Sequence, residues 1–172
     1  MSKTALLVIL FFTFSFATSQ EYEKPSEGKS LVYFVRTSGA GALINFRFFD
    51  GEKFLGKMSG ANYFTYECDP GNHLFWTSVE NRDFIQGELK TNATYIFETR
   101  PQAGAFTTRV KLIQVSPDNF RALKRVKRVL SKKTKYQLKS HDSNLSFFIK
   151  DGMTRYEHIK HKIKTINPNQ TF

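Results

Sequence analysis

The sequence predicts a mainly β protein: an antiparallel β-sandwich of seven to eight strands with a basic helical C-terminal extension. Three observations predict it. Up to about Val115, short apolar and aromatic runs alternate with turn signals every eight to twelve residues or so, with no helical period among them. From Ser116 onward the apolar residues recur with helical spacing. Charge divides at the same place. Of a net +11, the stretch from Arg109 carries 16 Lys and Arg against four acids, whereas the residues before it carry 10 against 11.

The chain opens with Lys3, an almost unbroken apolar run from Ala5 to Phe16, and small residues in Ala17-Thr18-Ser19. That is the layout of a cleaved signal peptide, with Gln20 the first mature residue. The run is well short of the roughly 20 residues a bilayer-spanning helix needs. The expected organisation is therefore a signal peptide over 1–19, a sandwich domain over 20–115 and a basic extension over 116–172. A mature chain of about 150 residues can bury a core without disulfides. Cys68 is the sole cysteine, and 18 Phe, 7 Tyr and 1 Trp supply the apolar bulk.

The strands follow in order. Leu31 to Val35 is an apolar run, and Ala42 to Phe49 alternates with Ala42, Ile44, Phe46 and Phe48 in phase before Asp50-Gly51, a hairpin signal. Lys53 to Met58 returns, Ser59 to Asn62 turns, and Tyr63 to Cys68 runs to Asp69-Pro70-Gly71-Asn72. His73 to Val79, Phe84 to Leu89, Tyr95 to Thr99 and Thr107 to Val115 complete the set, each bounded by polar or Pro/Gly breaks. In the last of these, Val110 and Leu112 face opposite to Ile113 and Val115, which calls for a bulge or a strand buried on both faces.

The lone cysteine lies five positions before His73, which raises the question of a thiol and its base. Proline at the second position of Asp69-Pro70-Gly71-Asn72 and glycine at the third make it a type II turn between strands. Cys68 is in phase with Phe64 and Tyr66 and is expected in the core, flanked by Glu67 and Asp69, whose charge disfavours the thiolate that a nucleophile needs. His73 is expected to hold the turn through its backbone, so Asp69, Pro70, Gly71 and His73 form a structural turn. No second ligand stands at a metal-binding spacing from it.

Leu31 to Arg36, Phe48-Phe49-Asp50-Gly51 with Leu55-Gly56, Tyr63 through Asp69-Pro70-Gly71-Asn72-His73, and the Tyr95 strand together resemble the bacterial envelope family catalogued as domain of unknown function 2846, over about residues 28–115. The resemblance implies a periplasmic or envelope-associated sandwich, immunoglobulin-like or transthyretin-like, with no catalytic residues to carry over. Members are often lipid-anchored; here Gln20 stands where a lipoprotein would carry cysteine, so no lipid anchor is expected. The three glycosylation sequons, at Asn92, Asn144 and Asn169, are informative only in a eukaryotic secretory pathway and are set aside.

In the extension, Ser116-Pro117-Asp118 reads as a helix start with Ser116 the N-cap. Phe120, Leu123, Val126, Val129 and Leu130 fall on one half of that helix; Arg121, Lys124, Arg125 and Arg128 fall on the other, and Lys132, Lys133 and Lys135 extend the charge. These seven cations are the candidate anion-binding residues. A second helix is expected over about 154–166, with Tyr156, Ile159, Ile163 and Ile166 as its stripe and His158 and His161 a solvated pair.

Two readings of the basic helices stand. In one, the stripes pack on the sandwich or on each other and the charges form a solvated face; in the other, that face binds anionic lipid, lipopolysaccharide phosphates or an acidic partner. Nucleic acid is not expected of an exported chain. There is no G-x-S-x-G, no H-E-x-x-H and no phosphate-cradling glycine loop, and nothing calls for a cofactor. A hydrolase would have to rest on two carboxylates outside any linear motif. The expected function is that of an exported, non-catalytic interaction module of the cell envelope with an unknown protein partner; peripheral association with an anionic membrane through the basic helix is the alternative.

Overall fold

The computed structural model of the chain describes residues 22–103, 108–139 and 141–172, so the expected signal segment lies outside the described residues. In chain order the strands are β1 (Ser30–Arg36), β2 (Phe46–Asp50), β3 (Lys53–Met58), β4 (Tyr63–Cys68), β5 (Gly71–Ser78), β6 (Arg82–Leu89), β7 (Ala93–Ala103) and β8 (Thr108–Gln114). Two helices, α1 (Phe120–Lys132) and α2 (Leu145–Ile159), follow, then a 3-10 turn at Lys160–Lys162 and β9 (Lys164–Thr165). One sheet has the order β4-β1-β7-β8, the other β3-β2-β5-β6-β9.

The sandwich is mainly β as expected, but its sheets are mixed. β1 runs parallel to β7 and β6 parallel to β9, while the remaining pairs are antiparallel. The chain leaves β6 in one sheet and enters β7 in the other beside β1, running the same way. β9 arises in residues whose spacing predicts a helix.

Phe34 is the hub of the inter-sheet core, with Phe64, Phe48, Phe75 and Phe97 at 5.0, 5.4, 5.5 and 5.7 Å between ring centroids. Cys68 lies in this core with Phe64, as its phase predicts. The alternation expected from Ala42 is realised only from Phe46. The buried Arg36 guanidinium lies over the Phe46 ring and donates to the carbonyls of Ala40, Gly41 and Ile44, and those carbonyls are thereby lost to a sheet ladder. β8 resolves its phase break by burial on two sides: Val110 and Leu112 enter the inter-sheet core, and Val115, just past the strand, faces α1.

Both outer faces are apolar, and each is covered by a helix. Leu31, Tyr33, Val35 and Ile96 pack against Ala122, Val126, Val129 and Leu130 of α1. On the far side Phe49, Trp76 and Phe84 pack against Leu145, Phe148, Ile149, Tyr156 and Ile159. α1 starts later than Ser116 because Asn119 is the cap, its side chain accepting the Ala122 N–H at 3.1 Å. Phe120 is not in the buried stripe: it is 81% exposed. α2 begins at Leu145 rather than near Thr154, and Ile166, expected on its stripe, instead enters the inter-sheet core beyond β9.

The segments joining these helices close both seams of the sandwich. After α1 the Tyr136 N–H donates to the Tyr63 carbonyl of β4 at 2.7 Å, and Lys139 bridges Lys57 of β3. Asp142 then binds Arg47 at 2.8 Å. At the opposite seam the free edge of β8 is satisfied by side chains: Asn81 accepts the Val110 N–H at 2.6 Å and donates to its carbonyl at 2.9 Å. Asp83 accepts the Leu112 N–H, and Lys164 binds both Asp83 and the Leu112 carbonyl. An edge so occupied cannot recruit a further strand.

α2 approaches its sheet at Gly152. Trp76, stacked on Phe49 at 3.8 Å, lies where a Cβ on residue 152 would come within 2.3 Å of the indole. In an exposed helix Gly→Ala gains up to about 1 kcal/mol. Here Gly152→Ala is expected to destabilise by about 1–3 kcal/mol in urea unfolding, because the ring must move; a stabilised variant would refute the close packing.

Candidate functional site

The corner at residues 69–73 carries the chain from β4 in one sheet to β5 in the other, with Gly71 at φ +117°. His73 holds it. Its Nδ1 lies 2.8 Å from Asp50 Oδ2 and its Nε2 2.8 Å from the Asp69 carbonyl oxygen. Both partners only accept, so both ring nitrogens must carry protons and the ring is an imidazolium. Its pKa is accordingly raised to about 10, chiefly by the Asp50 hydrogen bond and next by contact with Cys68. Tyr66 donates to the same Asp50 oxygen at 3.2 Å, and burial together with the Asp50 charge pushes the phenol upward. The Asp50–His73 pair is not arranged as a general base. Nε2, the nitrogen that would take a proton from a nucleophile, already donates to a backbone carbonyl, and Cys68 is buried with Sγ 3.9 Å from the Ser30 carbonyl.

The α1 cations fall into two groups. Arg125 is turned inward to Glu98, whose side chain is fully buried, binding it through Nε at 2.8 Å and Nη2 at 3.0 Å. Thr37 Oγ1 donates to the same carboxylate at 2.6 Å and Arg100 at 2.5 Å. A carboxylate removed from water is tolerated only when so paired, so Arg125 pins α1 to β7. Arg128 adds a 3.4 Å bond to the Thr37 carbonyl, and Lys135 pairs with Glu23. Arg121, Lys124, Lys132 and Lys133 are exposed, as is Lys127, which the sequence reading did not single out. Among the described residues none of these five has an acidic partner. Arg121, Lys124, Arg125 and Arg128 line a groove of about 400 Å³.

Glu98 also escaped the sequence reading, although a signal was there: an acid amid the apolar residues of Tyr95-Ile96-Phe97 is the kind that must be paired. His158 and His161 are exposed, and among the described residues no group of three or more His, Cys, Asp or Glu could hold a metal ion. Among the described residues, too, no helix is long and apolar enough to cross a membrane. No protein-family model, curated protein or solved structure matches this chain.

The imidazolium makes stability depend on pH. Because the folded pKa of His73, about 10, exceeds its ordinary 6.5, its contribution is fully present below 6.5 and is lost as pH rises through 10. His73→Gln is expected to cost roughly 1–3 kcal/mol at neutral pH. Over that alkaline range it should also lose less stability to urea than the parent chain; parallel pH profiles for the two proteins would refute the assignment.

Proposed function

We propose that this protein is an exported, non-catalytic binding module of the cell envelope, and that the outward face of α1 is its contact with an anionic surface. One observation carries the reading. Arg121, Lys124, Lys127, Lys132 and Lys133, five cations on one short segment, have no acidic partner among the described residues, in contrast to matched pairs such as Arg47–Asp142, Arg82–Asp151, Lys164–Asp83 and Lys29–Asp69. Neighbouring unpaired cations repel one another, and an apposed anionic surface relieves that repulsion. The apolar half of the helix is already committed to the sheet, so the charged half is what meets a partner.

Co-sedimentation of the chain from Gln20, which keeps every described residue, with phosphatidylglycerol-containing and pure phosphatidylcholine vesicles tests this. Binding is expected to the anionic vesicles alone and to weaken as salt rises. Lys124→Glu with Lys127→Glu should lower affinity at least about tenfold, at roughly 1 kcal/mol per charge near the surface. Equal binding to both vesicle types, or to neither, would overturn the reading and return the search to protein partners of the sandwich.

A further inference from the structure

Phe120 is a large apolar side chain that the fold leaves in water, at 81% exposed. It does not belong to the buried stripe. At about 100° per residue, Phe120 and Lys124 stand one turn apart on the side of α1 opposite Ala122, Val126 and Val129, with Arg121, Lys127 and Arg128 around them. An aromatic ring set among cations on one helix face fits a surface that is anionic outside and apolar just beneath. A soluble polyanion would satisfy the charges and leave the ring in water.

Charge elsewhere on the molecule is more evenly mixed. On β8, Val110 and Leu112 enter the core, while the exposed Arg109 and Lys111 lie at the strand edge, Arg109 beside Glu80, Arg82 and Arg155 and Lys111 beside Asp83 and Lys164. The acids near the α1 face are Glu98, buried beneath Arg125 and Arg100, Glu23, paired with Lys135, and Asp118 ahead of the helix. The opposite face differs: Phe147, 63% exposed, stands on α2, a helix whose Lys150 and Arg155 are balanced by Asp151 and Glu157, with Glu52 beside it.

We infer that the anionic surface is that of a lipid bilayer and that Phe120 is the side chain α1 inserts into it, an inference that rests on α1 being the cationic contact face. The molecule would then lie with α1 toward the lipid and α2 away from it. Insertion reaches no further than the headgroup and upper acyl region, since the rest of the apolar face of α1 is held by the sheet.

Tryptophan at position 120 tests this directly. The sole native tryptophan, Trp76, is buried and stacked, and supplies a constant background. On adding phosphatidylglycerol vesicles, Phe120→Trp is expected to shift its emission to the blue and to become shielded from aqueous iodide, while Phe147→Trp does neither. Phe120→Ala, at an exposed position that leaves the core untouched, is expected to weaken vesicle binding about five- to tenfold with its salt dependence unchanged. Vesicle binding with the emission of Trp at 120 unmoved would overturn the insertion while leaving the cationic contact intact. Binding of long-chain polyphosphate without binding of vesicles would overturn the bilayer as partner. Binding of neither would remove both this inference and the reading beneath it.

Discussion

The constraint on which this architecture depends is that the central strands of both sheets are apolar on two sides. In β1, Val32 and Phe34 fill the inter-sheet core while Leu31, Tyr33 and Val35 on the other face are equally buried. A strand of that kind is stable only when covered twice, and the second cover is α1. The same holds for Phe49, Trp76 and Phe84 under α2. The basic extension is thus two of the four layers of the molecule, and its connecting segments close the seams.

The polar groups that the fold buries or half-buries mark where these layers are fastened. Glu98 fastens α1 to β7, Asp142 ties the segment between the helices to Arg47 of β2, and the Asp50–His73 pair joins the β2–β3 turn to the β4–β5 corner. Each pairs a group in one segment with a group distant in sequence. Losing one partner costs more than the bond itself, because the other is left poorly solvated. Of the cations left without an acid, Arg121, Lys124, Lys127, Lys132 and Lys133 cluster on the outer face of α1 and just beyond it.

What was legible in the sequence follows the same physics. The limits of β3 and β4 could be read because Asp50-Gly51 and Pro70-Gly71 punctuate them chemically, and the phase of Cys68 placed it in the core. The role of His73 was legible in part, since its backbone partner Asp69 is local, but Asp50 is a long-range partner that no local pattern discloses. Parallel pairing of β1 with β7 is likewise a matter of topology. The start of α2 was obscured by Gly152, which weakens a helical pattern unless its packing against Trp76 is known. Phe120 was placed on the wrong side because hydrophobicity alone assigned it to the stripe, whereas that side of the helix is already filled by Ala122 and Val126.

That last displacement bears on how the molecule would meet a membrane. Amphipathic helices that bind bilayers usually bury their apolar face in lipid. α1 would have to leave the sheet to do so, breaking the Glu98–Arg125 pair and exposing Leu31, Tyr33, Val35 and Ile96 together. The area uncovered on the sheet would match or exceed what the lipid covers on the helix, so nothing favours the exchange. On the proposed reading the contact is therefore made by the opposite face of a helix that stays docked. Its strength comes from charge and one aromatic ring, which gives attachment that is reversible and sensitive to salt.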